Sequence, residues 1–208
     1  DSTLQSQMLP DVESLPLSNP ISSDMAHMRT SLWPGLLGAV LYNLNRQADR
    51  VRLFETGLRF QVIDGELAQT PMMAGAIIGP AAPEQWGAPA RDADFFDLKG
   101  DIEALVARCG DASEFTFEAG AHSALHPGQT ASIVADGAIV GHLGALHPAI
   151  AVAQKIRGTL LFFEVELDAL TRRSVPAFKH LSRYPAVRRD LSIIVDEGVS
   201  MNAVEKCV

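Results

Sequence analysis

The chain has 208 residues, 47% of them hydrophobic and 20% charged, which is typical of a globular protein and excludes a disordered or collagenous chain. Its apolar runs are far shorter than the roughly 20 residues of a membrane-spanning helix, and residues 1–20 show no secretory signal. The two cysteines, Cys109 and Cys207, do not suggest a disulfide framework, so we expect a cytoplasmic protein with no membrane partner.

Charge is unevenly distributed along the chain. The formal net charge of −8 by itself argues against a nucleic-acid partner. Residues 171–190 (TRRSVPAFKHLSRYPAVRRD) nevertheless contain six basic residues and one acidic residue. This stretch is either a phosphate-binding footprint or a solvated linker between two domains, and charge alone does not distinguish the two.

An irregular start and a helix are predicted first. Three X-Pro steps disfavour helix in residues 1–20 and predict an extended or irregular segment. Residues 32–47 then show helical periodicity, with Thr30 or Ser31 as N-cap and Pro34 in the first turn. Five aliphatic side chains share one face of this helix: Leu36, Leu37, Val40, Leu41 and Leu44.

Strands and turns dominate the middle of the chain. Residues 51–63 are rich in β-formers and end in Asp64-Gly65, a hairpin signal, and residues 72–79 form a short apolar strand. Residues 81–89 are an irregular excursion with two prolines. A helix ending near Cys109 follows, because its apolar residues recur at helical spacing.

The second half of the sequence predicts a hairpin and a buried strand, followed by a strand and a helix near the end. Asp136-Gly137 supplies the turn of a hairpin over residues 131–146. Residues 159–167 are apolar enough for a central strand. Residues 188–195 predict one more strand, and Ser200 caps a final helix.

No catalytic set and no metal site emerge from residue spacing. His122 and His126 are four residues apart, but Pro127 and Gly128 make the helix that a zinc site needs there unfavourable. Glu164 and Glu166 alternate on a strand and share a face, which suits either acid–base work or a polar outer face. We favour the polar outer face.

Several segments in order along the chain resemble the bacterial phenylalanyl-tRNA synthetase β subunit. They are residues 19–22 (NPIS), 28–37 (MRTSLWPGLL), 45–46 (NR), 53–57 (LFETG), 96–100 (FDLKG), 126–129 (HPGQ), 144–148 (GALHP) and 163–167 (FEVEL). Residues 178–191 (FKHLSRYPAVRRDL) resemble the opening of that subunit's C-terminal anticodon-binding domain.

The resemblance implies an α+β fold, with a class II aminoacyl-tRNA synthetase-like antiparallel sheet, flanking helices and an incomplete ferredoxin-like tail. The expected organisation is an extended segment at residues 1–20, a catalytic-like core at 21–172, and a linker with a truncated domain start at 173–208. The editing module and a magnesium-associated module of the subunit would precede the first residue.

The resemblance also implies a noncatalytic role within phenylalanine–tRNA ligase, a cytoplasmic heterotetramer that uses ATP and magnesium. Gln61 stands where the family of class II enzymes carries an ATP-binding arginine, and residues 162–168 lack the glycines and arginine of the third class II motif. We therefore expect no catalytic residue and no cofactor in this piece. The expected partners are the catalytic α subunit and, in the full assembly, tRNA.

Two sets of residues follow as site predictions. The aliphatic face of helix 32–47 (Leu36, Leu37, Val40, Leu41 and Leu44) is either a subunit interface or core. Arg183, Arg188 and Arg189 either meet tRNA phosphates or serve as linker charges. Two alternative functions stay open: a residually active class II ligase that uses Arg59, and a free-standing module that binds a small ligand or a protein.

Overall fold

A computed structural model of the chain describes residues 2–63, 65–87, 89–109, 112–172, 184–185, 187–199, 201–205 and 207. The chain divides into two compact units, Asp1–Ser174 and Val175–Val208. Among the described residues, no helix combines the length and the hydropathy that a membrane crossing requires.

The first unit is one antiparallel sheet with helices. Its helices are α1 (Ser2–Met8), α2 (Trp33–Leu44), α3 (Phe95–Cys109), α4 (Pro148–Ala153) and α5 (Leu167–Thr171). Its strands are β1 (Val51–Ile63), β2 (Glu66–Ile78), β3 (Phe115–Ala119), β4 (Leu125–Ala135), β5 (Ala138–Leu146) and β6 (Leu161–Glu166). The six strands lie in the order β1-β2-β6-β5-β4-β3, and every neighbouring pair is antiparallel.

Both predicted hairpins are confirmed. β1 and β2 pair over 13 residues each, so the short strand predicted at residues 72–79 is the end of a longer one. In the β4–β5 turn, Asp136 and Gly137 have φ angles of 52° and 75°. These left-handed angles are the backbone conformation that an Asp-Gly turn supplies at low cost.

The core lies on both faces of the sheet. One apolar cluster joins the sheet to α1, α2 and α4, and the other joins it to α3 and α5. The buried central strand β6 contributes to both because its side chains alternate: Phe162 packs in the first cluster, and Phe163 and Val165 pack in the second. This confirms the central strand predicted from residues 159–167.

The prediction of an extended segment at residues 1–20 is wrong for Ser2–Met8, which is helix α1. Pro10 disfavours helix at Leu9 and has no amide to donate, so it ends the helix, but it does not act on the residues before Leu9. Met8 is buried in the core. The Gln5 side chain donates to the Met28 carbonyl (3.2 Å) and accepts from the Thr30 amide (3.2 Å), which fastens the helix to the chain before α2.

The strand predicted at residues 188–195 is also wrong. These residues are exposed and form no strand, and the described part of the second unit contains one regular element, helix α6 (Met201–Glu205). A strand requires a neighbouring strand to pair its amides and carbonyls, and β-forming residues alone do not provide one. The predicted cap, Ser200, lies outside the described residues.

Candidate functional site

A cavity of about 240 Å³ gathers ionisable side chains from the sheet on the side of helix α2. Its polar lining consists of Thr30, Ser31, Arg59, Gln61, His122, His142, Glu164 and Glu166. Its apolar lining includes Leu9, Val12, Trp33, Met72 and Ile139. Three other cavities, of about 250, 590 and 710 Å³, are lined by no histidine and no buried carboxylate among the described residues. The first cavity is therefore the candidate site.

Glu164 holds the start of helix α2 against the central strand. Its Oε1 accepts from the Leu32 amide (2.7 Å) and from the Ser31 hydroxyl (3.0 Å). The Ser31 oxygen in turn accepts from the Trp33 amide (3.0 Å), and the Trp33 indole donates to the Phe163 carbonyl (2.9 Å). The carboxylate thus pairs the Leu32 amide and the Ser31 hydroxyl pairs the Trp33 amide, two donors at the helix start that have no partner within the helix.

The environment of Glu164 sets its protonation. Burial raises the pKa of the Glu164 carboxyl, while the hydrogen bonds from the Leu32 amide and the Ser31 hydroxyl act in the opposite direction. Only 8% of the residue is exposed, so the favoured interpretation of Glu164 as part of a polar outer face is wrong. The apolar residues on either side of Glu164 predict a buried strand, and this prediction of burial extends to the glutamate itself.

Arg59 is paired inside the cavity with the second carboxylate of the strand. Its Nη2 lies 3.3 Å from Glu166 Oε1. Gln61, at the position where an arginine was expected, lines the same cavity two residues further along β1. The buried Arg59 Nε and Thr30 Oγ1 have no hydrogen-bond partner among the residues that the structure describes. Arg59 is the one arginine among the described residues of the cavity lining, and it already faces a carboxylate.

Two histidines and Trp33 form an aromatic cluster on the cavity wall. The His122 ring lies edge-on to Trp33 at 4.7 Å and at 5.1 Å from His142. His122 Nδ1 accepts from the Ala124 amide (3.1 Å). Burial lowers the pKa of His122 to about 4, and burial together with the positive charge of Arg59 lowers the pKa of His142. Sequence spacing alone missed this cluster, because its members come from three separate segments.

Most of the ionisable side chains that line the cavity make contacts that stabilise the fold. Glu164 caps a helix, Glu166 pairs with Arg59, and His122 accepts a backbone hydrogen bond. Within the described residues, no three His, Cys, Asp or Glu side chains gather as metal ligands. The cavity offers hydrogen-bond donors beside paired charges, and it does not place a free acid next to a free base.

The structure places the predicted interface face of α2 mostly inside the core. Leu36, Leu37 and Val40 are buried, Leu37 with 0% exposure, so the interface prediction is wrong for these three side chains. A side chain without accessible surface cannot contact a second chain. Leu41 and Leu44 are half-buried against the same cluster, and for them an interface stays a prediction.

The predicted tRNA contacts lie in the second unit. Arg188 and Arg189 are exposed, and Arg183 falls outside the described residues. Their contact with tRNA stays a prediction.

The fold is similar to that of a solved tRNA synthetase. The structure of Desulfitobacterium hafniense PylSc, a pyrrolysyl tRNA synthetase, matches with a TM-score of 0.54 over 82% of this chain and 55% of that chain, at 14% identity. This likeness supports the predicted α+β, synthetase-like fold with an antiparallel sheet and helices.

The family follows from the sequence itself. The model of the phenylalanyl tRNA synthetase beta chain CLM domain matches residues 1–167, and the chain belongs to this family. Among curated relatives, the phenylalanine–tRNA ligase beta subunits of Pseudomonas putida, Hahella chejuensis and Shewanella oneidensis are 53%, 48% and 46% identical over 94%, 95% and 100% of this chain. The chain spans about a quarter of the length of these relatives, and the resemblance stated above is confirmed.

The lowered pKa of His122 predicts acid sensitivity. The unfolded chain takes up a proton near pH 6.5, whereas the folded His122 does so only near pH 4, so its contribution to stability is present above pH 6.5 and lost as the pH falls towards 4. We expect His122→Asn, which keeps an acceptor for the Ala124 amide, to flatten this part of the dependence.

Urea denaturation between pH 7 and pH 4 measures the effect as the free energy of unfolding. The groups that face His122 are His142 and, further into the cavity, Arg59 and Glu164, and all three are unchanged in the variant. The matched control, His27→Asn at an exposed histidine, is expected to keep the slope of the parent chain. An identical slope in the His122 variant would contradict the assignment.

Proposed function

We propose that this chain is a noncatalytic portion of the β subunit of phenylalanine–tRNA ligase and that it scaffolds the catalytic α subunit. The observation that carries the proposal is the pairing of charges in the cavity. Arg59 faces Glu166, and Glu164 accepts from the start of helix α2, so the groups that a catalytic reaction would need are already engaged. The chain that forms this cavity belongs to the β-subunit family. The full enzyme would join L-phenylalanine to tRNA at the expense of ATP.

The side chains of the cavity do not fit ATP. A triphosphate needs several unpaired positive groups, because stabilising phosphate charge is most of what such a site contributes. Here Arg59 faces Glu166, and Glu164 adds a second carboxylate to the same wall. ATP and magnesium would therefore bind to other parts of the full enzyme.

We also propose how the chain is divided within a longer protein. Residues 21–172, together with helix α1, which packs in the same apolar cluster, would be a class II-type, pseudo-catalytic core. Residues 173–208 would begin a ferredoxin-like anticodon-binding domain in a longer protein, where further strands could pair with residues 188–195. The size of the curated relatives, about four times that of this chain, accords with additional domains.

The pairing of Arg59 argues against a residually active ligase, because the Glu166 carboxylate beside the guanidinium would repel a phosphate. The match of the family model over residues 1–167 argues against a free-standing binding module.

Mixing the chain with the catalytic α subunit of Pseudomonas putida tests the proposal. Size exclusion with light scattering should show a stable complex, and phenylalanine-dependent pyrophosphate exchange by the chain alone should be absent. A chain that fails to bind the α subunit, or that exchanges pyrophosphate alone, would contradict the proposal.

We further propose that Arg183, Arg188 and Arg189 contact tRNA phosphates. Each phosphate contact that is lost should reduce the dependence of log K on log salt by about 0.7 to 0.9. Changing Arg188 and Arg189 to Ala should therefore flatten the salt dependence of tRNA binding by the complex. The control pair, Lys155 and Arg157, is exposed in the first unit and should leave the slope unchanged. If log K depends equally on log salt in both variants, Arg188 and Arg189 do not contact tRNA phosphates.

A further inference from the structure

A fully exposed tryptophan stands on the loop between β2 and α3. The relative accessibility of Trp86 is 101%, whereas that of Trp33, the other tryptophan, is 1%. Tryptophan is a large and mostly apolar residue that is highly buried on average in folded chains. Because the whole indole is exposed to water, the chain does not gain the free energy that burying this apolar surface would give.

The loop that carries Trp86 is closed at its base. The Ala81 amide donates to the Arg91 carbonyl (2.9 Å), and the Ala93 amide donates to the Gly79 carbonyl (3.0 Å). The Arg50 guanidinium adds a bond to the Pro80 carbonyl (3.0 Å). These contacts fix the two ends of the loop together, so less conformational freedom would be lost when the tip binds a partner.

Charges on and beside the loop favour one kind of partner. Glu84, Asp92 and Asp94 are exposed, and the nearby guanidinium of Arg91 is engaged by both oxygens of Asp97, at 2.6 and 2.7 Å. An acidic surface repels a phosphate backbone, so stacking on a nucleic-acid base is disfavoured. A protein surface with an apolar pocket and a basic rim complements this loop.

We propose that Trp86 anchors this chain to the α subunit by inserting its indole into an apolar pocket bordered by Lys or Arg. The assignment of the partner rests on the function proposed above, and the anchor itself rests on the exposure, the closed loop and the charge. Buried Trp side chains are among the residues that contribute most to protein–protein affinity.

Fluorine NMR of the chain labelled with 5-fluorotryptophan reports on Trp86 directly. The two tryptophans give two resonances, which Trp86→Phe assigns, and buried Trp33 serves as an internal reference. Unlabelled α subunit should shift the Trp86 resonance and remove its sensitivity to the exchange of H₂O for D₂O. The Trp33 resonance should keep its position.

Affinity provides the second measurement. Trp86→Ala should weaken binding of the α subunit about thirtyfold, the size of a 2 kcal/mol contact. Phe54→Ala removes another exposed aromatic ring from edge strand β1, and its Kd should match that of the parent chain. Because both side chains are exposed, circular dichroism should show the parent fold in both variants.

The outcomes separate the two proposals. A complex in which Trp86 keeps its isotope sensitivity, or in which Trp86→Ala binds normally, overturns the anchor and leaves the scaffolding function intact. Absence of any complex overturns both. Protection of Trp86 by tRNA alone overturns the assignment to a protein partner.

Discussion

The contact between Glu164 and the start of helix α2 is the interaction on which the first unit depends most. It joins the central strand of the sheet to the helix that fills one face of the core, through the Leu32 amide and the Ser31 hydroxyl. An unpaired carboxylate at 8% exposure would be costly, and the unpaired helix terminus would be costly too. Each therefore satisfies the other, and the indole of Trp33 bonds to the same strand.

This contact determines what the cavity can do. A carboxylate that caps a helix is not available to move a proton. The second carboxylate, Glu166, faces the only guanidinium among the described residues that line the cavity. The shape of a synthetase fold is thus kept while its charged groups hold the scaffold together. Such a domain is suited to presenting its outer surfaces to partners, and the acidic loop with Trp86 is one surface that the core does not need.

The sequence correctly predicted the structural features that depend on residues close together in the chain. The Asp136-Gly137 turn, the long β1 strand and the aliphatic face of α2 each follow from spacing and turn chemistry. Contacts between distant segments could not be predicted in this way: α1 is fastened by Gln5, and Glu164 is buried by residues more than 130 positions away. The strand prediction for residues 188–195 was wrong for the opposite reason. These residues have β-forming side chains, but the described residues include no strand that pairs with them.

The most direct test of this account is the free energy of unfolding of variants at Glu164, measured by urea denaturation at pH 7. Glu164→Gln keeps the acceptor and should stay within about 1 kcal/mol of the parent chain, whereas Glu164→Ala leaves buried donors unpaired and should lose about 3 kcal/mol. Glu166→Ala, two residues along the same face, should cost much less because its pair with Arg59 is partly exposed. Equal losses for the Gln and Ala variants, or no loss for Ala, would contradict a structural role for this carboxylate.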